Sequence, residues 1–161
     1  MRDRLTARVL LFDAQGRLLL MKGRLPVEPD GPGAWFTVGG GAEAGETVLE
    51  TAARELREET GFDDVILGPV VWRRHGPLAV ASGEVMMFRE HYVVAHCGGG
   101  EPSRDGWDAV ERRFIDDIRW WSYAEILSTD ETVHPIGIAH LLPDILAGRY
   151  PSEPRLIDWS L

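Results

Sequence analysis

GGAEAGETVLETAARELREETGF, residues 40–62, decides how this chain is read. From Thr47 to Thr60 it is made of strong helix formers with no Gly or Pro, and Gly61 supplies the stop, which predicts a helix across those residues. Taking the helix at about 100° per residue with Glu55 at the origin, Leu49, Ala53, Leu56 and Thr60 cluster between roughly 100° and 160°. Val48 and Ala52 fall at roughly 20° to 60°, so this stripe is the expected core face. Glu59 falls at about 40° and Glu58 at about 300°, which gathers three carboxylates along one edge of the stripe.

That gathering has a cost. Glu55 and Glu59 form a like-charge i,i+4 pair, worth roughly 0.2 to 0.5 kcal/mol against an isolated helix, and neither has a Lys or Arg four residues away. Glu58 alone has Arg54 at that spacing. Hard divalent cations prefer carboxylate oxygens, and Mg²⁺ takes one or two of them together with substrate phosphate oxygens, so the edge suits a polyphosphate substrate. The bland alternative is a solvated helix face of mixed charge, the usual fate of an isolated Glu-rich helix.

The surroundings favour the sharper reading. Gly40 is followed after five residues by Glu46, after seven more by Arg54-Glu55-Leu56, then after one by Glu58-Glu59, and after one by Gly61-Phe62. This spacing closely resembles the signature of the Nudix hydrolases with every fixed position filled, a match whose chance probability is on the order of 10⁻⁷. The resemblance extends more loosely to the preceding Trp35–Gly40 stretch and to Arg119–Glu125. Val38 departs from the family pattern, in which many members place proline before the glycines.

The resemblance implies an α/β/α sandwich with a mixed parallel and antiparallel sheet, formed by one domain over residues 1–161. It implies that Glu55, Glu58 and Glu59 bind or support Mg²⁺, for which Mn²⁺ can substitute, joined by a backbone carbonyl from the glycine run at Gly39. Glu46 and Arg54 would brace loop against helix, next to Gly40. The reaction implied is attack of water on a phosphorus of a nucleoside diphosphate linked to a further group. The general base would come from the position of Glu55 or from a later loop acid; of Glu111, Asp108 and Glu101, Glu111 is favoured by its spacing before the Arg119-Trp120-Trp121 strand. Lys22 and Arg24, after the second strand, are candidate phosphate contacts. The alternative function is a Nudix-like domain that senses a nucleotide without hydrolysing it, but such domains usually lack a metal glutamate and none is missing here.

Working outward, Leu5–Phe12 and Arg17–Lys22 are apolar runs around a turn-forming Asp13–Gly16 and read as a hairpin. Gly23–Gly33 reads as a loop, Ala34–Val38 as a strand, and Val65–Trp72 and Val85–His96 as strands, with Gly76-Pro77 and Ser82-Gly83 in the loop between them. Gly98–Trp107 is a further loop, Ile118–Ser122 a last strand, and Tyr123–Leu127 and Ile138–Leu146 are helices. No structure is assigned after Gly148.

Composition narrows the function classes. With 161 residues, 44% hydrophobic and 27% charged, the chain is one ordinary globular domain in size and make-up. A net charge of -9 without a dense Lys/Arg run argues against a nucleic-acid partner. Cys97 stands alone, so no intramolecular disulfide is available and a reducing cytoplasm is expected. The apolar run Ala7–Phe12 is too short for a signal peptide or membrane span.

Gly39-Gly40-Gly41-Ala42-Glu43-Ala44 also fits the dinucleotide fingerprint, but Glu43 and Glu46 would face the pyrophosphate. His91, His96 and Cys97 are poor zinc candidates, because a five-residue separation puts the two histidines on opposite faces of a strand. Trp35, Trp72, Trp120 and Trp121 read as core or interface residues. Arg73-Arg74-His75 is the remaining basic cluster, a surface patch or a reach towards substrate, in a dimer towards the partner's site. Pro77 stands near a position where ADP-ribose hydrolases of the family often carry proline, although a Gly-Pro turn accounts for it equally well. Nucleoside triphosphates, ADP-ribose, nucleotide sugars and dinucleoside polyphosphates all stay open as small-molecule substrates. Homodimers are common in the family, and the Trp-rich strands could supply an interface.

Overall fold

The computed structural model describes residues 1–25 and 27–159; Pro26, inside the expected loop, and Ser160 and Leu161, inside the expected domain, lie outside the described residues. The chain runs β1 (Asp3–Phe12), β2 (Leu18–Gly23), β3 (Ala34–Gly41), α1 (Val48–Thr60), β4 (Ile66–Ala79), β5 (Val85–His96), α2 (Ala109–Phe114), β6 (Ile115–Trp121), α3 (Tyr123–Ser128), α4 (Ile138–Leu146) and β7 (Arg155–Leu156). Among the described residues, seven strands form one mixed sheet in the order β6-β2-β3-β1-β5-β4-β7. The β1–β5 and β4–β7 ladders are parallel and the others antiparallel.

Strand alternation explains why β1 reads as an unbroken apolar run. Ala7, Val9 and Leu11 point to one face, where Leu19, Met21, Val38 and Val93 join them beneath Ala52 and Leu56 of α1. Leu10 and Phe12 point to the other, packing with Leu18, Leu20, Trp35, Trp72 and Trp121 beneath Ile126 of α3 and Ile138, Leu142 and Ile145 of α4. A strand covered on both faces needs apolar residues at every position, and each fully buried Leu-sized side chain contributes about 1.5 to 3 kcal/mol. The result is the mixed sheet with helices on both faces that the sequence implied.

Several local readings change. The Asp13–Gly16 turn forms, with Asp13 Oδ1 accepting from the Gln15 and Arg17 amides at 2.9 Å each. The hairpin it starts goes no further than the Phe12–Leu18 pair, because β1 and β2 diverge and β3 pairs with both. The glycine run extends β3 to Gly41 and does not end it. Gly76-Pro77 lies inside β4, paired with Phe88 and Met87, and the turn follows at Val80–Glu84. Proline is tolerated there because β7 reaches only Trp72 and Arg73, so the missing N–H removes no ladder bond. Two elements went unforeseen, α2 and the two-residue β7.

Candidate active site

Local sequence fixes the register of α1. Thr47 Oγ1 accepts from the Glu50 amide at 3.2 Å, and Glu50 Oε1 accepts from the Thr47 amide at 3.3 Å, a reciprocal cap. Gly61 closes the other end in the left-handed region at φ 72°. The buried wedge of the helix is Thr51, Ala52, Leu56, Glu59 and Thr60, while Leu49 is 45% exposed. It is therefore turned from the expected stripe towards the glutamates. Leu49 lies in the first turn, outside the buried wedge, and Glu59 lies inside the wedge instead of at its edge.

Glu59 is 2% exposed, and its Oε1 accepts from the Gly39 amide at 3.0 Å. Burial, then the neighbouring Glu55 and Glu111, push its carboxyl well above the usual carboxylate range. The glycines make this approach feasible. A Cβ on Gly40 would sit 2.6 Å from the Glu55 carboxyl carbon, and a Cβ on Gly39, at φ 144°, would collide with the Ala7 carbonyl. Trp107 Nε1 donates to the Glu59 carbonyl at 2.8 Å and the Ser103 amide to the Thr60 carbonyl at 2.7 Å, fastening the 98–107 loop to the end of α1.

Arg54 sits beside this group as a brace. Its Nε and Nη2 donate to the two Glu46 oxygens at 2.8 Å each, and Nη2 also donates to the Gly41 carbonyl at 3.0 Å. Nη1 donates to Glu55 at 3.0 Å and to Glu58 at 3.3 Å. The guanidinium holds the Glu46 carboxyl down to about 2. Glu55 thus finds its cation at the adjacent position, a reach that i,i+4 counting does not reveal.

Glu111 joins from α2. It is the third residue of a second reciprocal cap with Asp108, accepting from the Asp108 amide at 3.1 Å. Burial, then Asp108, Glu55 and Glu58, push its carboxyl up, so it stands within electrostatic reach of α1. Of the other loop acids, Asp108 is committed to capping α2 and Glu101 is exposed. Asp108-x-x-Glu111 is itself a helix-start signal, and reading it would have found α2.

Neither candidate phosphate cation reaches the carboxylates. Lys22 projects from the face of Leu18 and Leu20, opposite α1, where its Nζ meets Glu131 at 2.6 Å and lies 5.9 Å from the centre of the Trp35 ring. Arg24 pairs with Asp116 at 3.1 Å and donates to the Arg113 carbonyl at 2.8 Å, bracing the junction of α2 and β6. The basic cluster is divided by strand alternation, with Arg74 buried and Arg73 and His75 exposed. His91 is partly buried and His96 exposed, on opposite faces of β5.

The donor set is, in kind, what a hard divalent cation prefers. It consists of carboxylate oxygens converging beside the glycine run, one of them buried without a salt-bridge cation among the described residues, and a buried charge of that kind is costly unless paired or coordinated. Among the described residues, no group of three or more His, Cys, Asp or Glu side chains is arranged so that it could hold a metal ion by itself.

The NUDIX domain model matches residues 2–144, and the chain belongs to that family. It is 39% identical over 69 residues to an uncharacterized Nudix hydrolase of Pseudomonas aeruginosa, a stretch covering 42% of this chain and 37% of that protein. The chain thus matches little more than a third of that curated relative's length. In fold it is similar to the E. coli ORF135 protein, with a TM-score of 0.62 at 22% identity over 95% of this chain and 96% of the other. It is also similar to a MutT NUDIX hydrolase from Burkholderia pseudomallei, with a TM-score of 0.57 at 23% identity over 86% and 96%.

Proposed function

We propose that this chain, as a single domain, hydrolyses the diphosphate linkage of a nucleoside diphosphate joined to another group, in a reaction that depends on Mg²⁺ or Mn²⁺. The observation that carries this reading is Glu59, a carboxylate 2% exposed, set against Glu55 and hydrogen-bonded to the Gly39 amide. A fold that needed only stability would place an apolar residue or a glutamine there.

Glu55, Glu58, Glu59 and the Gly39 carbonyl would hold the ion. When bound, it supplies charge neutralisation on the phosphate oxygens and activation of the attacking water. The chain's own groups do the rest. Arg54, clamped on Glu46 and the Gly41 carbonyl, fixes the glycine run against α1. Glu111, its carboxyl raised by burial, would take a proton from water and is better matched to that task than an ordinary carboxylate. The lone buried thiol Cys97 accords with the reducing cytoplasm as its compartment, and no described helix is long and apolar enough to cross a membrane.

A product-resolved panel of nucleotides with Mg²⁺ or Mn²⁺ tests the reading, run on the wild type, Glu58→Gln and Glu59→Gln. Turnover by the wild type, lost about a hundredfold or more in both variants, is the expected result. Undiminished turnover in both variants rules out this metal site, and ligand binding without wild-type turnover identifies a sensor.

A further inference from the structure

Successive positions of the glycine run face opposite sides of the sheet, and each side meets a different charge. The space above Gly40 is filled by the Glu55 carboxylate, whereas a Cβ on Gly41 would lie 2.7 Å and 2.8 Å from Nε and Nη2 of Arg4. At this point the sheet has no side chain of its own, so the carboxylate cluster and a guanidinium are separated by little more than backbone. Arg4 is exposed, has no carboxylate partner among the described residues, and rests with its guanidinium carbon 5.4 Å from the centre of the Phe88 ring. On the same face Arg8 and Arg74 share the single carboxylate of Glu90, each at 2.6 Å, so the ground behind Arg4 carries a surplus positive charge. Thr6, which pairs with Gly41 and lies between Arg4 and Arg8 along β1, keeps a buried hydroxyl without a partner among the described residues.

We propose that Arg4 anchors an anionic group of the substrate that lies beyond the hydrolysed linkage, reached by crossing the edge of the glycine run. This rests on the hydrolase reading and narrows its substrate class to nucleotides with a further phosphate, such as a nucleoside triphosphate, in preference to a nucleoside diphosphate joined to a neutral sugar. The chemistry decides between them. A chain of phosphates held at Gly39 and the glutamates meets Glu58, Glu111 and Glu43 on the α1 side, which repel any additional anion. Across the glycines it meets Arg4, whose planar fork can bind phosphate oxygens through two N–H groups.

The test compares wild type, Arg4→Gln and Arg4→Lys on a nucleoside triphosphate and on a nucleotide sugar with a neutral sugar, and measures binding of inorganic tripolyphosphate in magnesium-free buffer. Arg4→Gln should raise KM for the triphosphate about tenfold with kcat little changed, leave the neutral-sugar substrate unaffected, and weaken tripolyphosphate binding at least fivefold; Arg4→Lys should recover part of both losses. Gly41→Ala, which displaces the guanidinium without removing it, should reproduce the KM effect in part. Equal losses on the two substrates, or tripolyphosphate binding unchanged in Arg4→Gln, overturn the assignment. Absence of wild-type turnover on every nucleotide refutes the hydrolase reading instead, and the tripolyphosphate arm still decides whether Arg4 binds anions.

Discussion

Burying Glu59 to 2% exposure beside Glu55 costs the fold free energy that an ordinary surface glutamate would not. Its carboxyl is raised in the folded state, so the folded protein binds its proton more tightly than the unfolded chain, and the penalty is largest above the folded value, where the group must be ionised. Glu59→Gln keeps the shape and removes the charge. In metal-free buffer at pH 8 the variant should be more stable than the wild type by on the order of 1 kcal/mol, read from urea midpoints, while its nucleotide hydrolysis is lost. The stability advantage should shrink as the pH falls below the folded value and vanish only near the unfolded one, about 4.3, where both states hold the proton. A variant less stable than wild type at pH 8 would mean that Glu59 is already compensated, and that the carboxylate is structural.

Element by element, α1 is held by devices that local sequence writes out. Thr47→Ala removes the cap and should cost about 1 kcal/mol. Gly61→Ala should cost about 1 to 2 kcal/mol, because φ is 72° there and the new Cβ would approach Ser103 Cβ to 2.9 Å. Urea denaturation of each single variant checks both, and an unchanged midpoint for Gly61→Ala would contradict the left-handed cap. Such signals explain why α1 and α4 were legible to within a residue: caps, stops and apolar periodicity act within a few positions. The insertion of β3 beside both β1 and β2 was not legible, since the pairing depends on how far two strands diverge in space. The two-residue β7 was hidden for a similar reason, because its pairing with β4 joins residues more than eighty positions apart. At the site, the spacing of glycines, glutamates and Arg54 carried the carboxylate cluster, and Arg54 pairs with Glu46 at 2.8 Å. Nearness to a strand end says nothing of whether Lys22 and Arg24 meet the carboxylates; Lys22 leaves the sheet on the face opposite α1 and Arg24 is tied to Asp116. Arg4 went unnoticed because nothing in the sequence says that Gly41 opens a gap on its face.

At the scale of the whole molecule, one buried carboxylate ties three strands together. Glu90 of β5 is 2% exposed and accepts from Arg8 of β1 and Arg74 of β4 at 2.6 Å each, joining the parallel β1–β5 ladder to the antiparallel β4–β5 ladder. The Trp159 ring, 4.7 Å from the Arg74 guanidinium carbon and stacked on Phe88 at 6.5 Å, brings the C-terminal segment to the same place, and Gly76 is glycine because the indole occupies its Cβ position. Burial alone would raise the Glu90 carboxyl, but the two guanidiniums outweigh it and hold the group below the usual range. The sign of the pH dependence follows. A group depressed in the folded state contributes fully above its unfolded value, about 4.3 for glutamate, and that contribution is lost as the pH falls from there towards the lower folded value. Glu90→Gln leaves the buried Arg74 and partly buried Arg8 guanidiniums facing each other without a counter-charge and should destabilise the protein by about 3 kcal/mol at pH 7. The gap between wild type and variant in urea midpoint should hold steady from pH 7 to about pH 5 and narrow below about pH 4.3, as the wild type protonates and loses what the variant never had. A gap that stays constant down to pH 3.5 would show that Glu90 acts through shape and not through charge, and the clamp between the two ladders would have to be sought in packing alone.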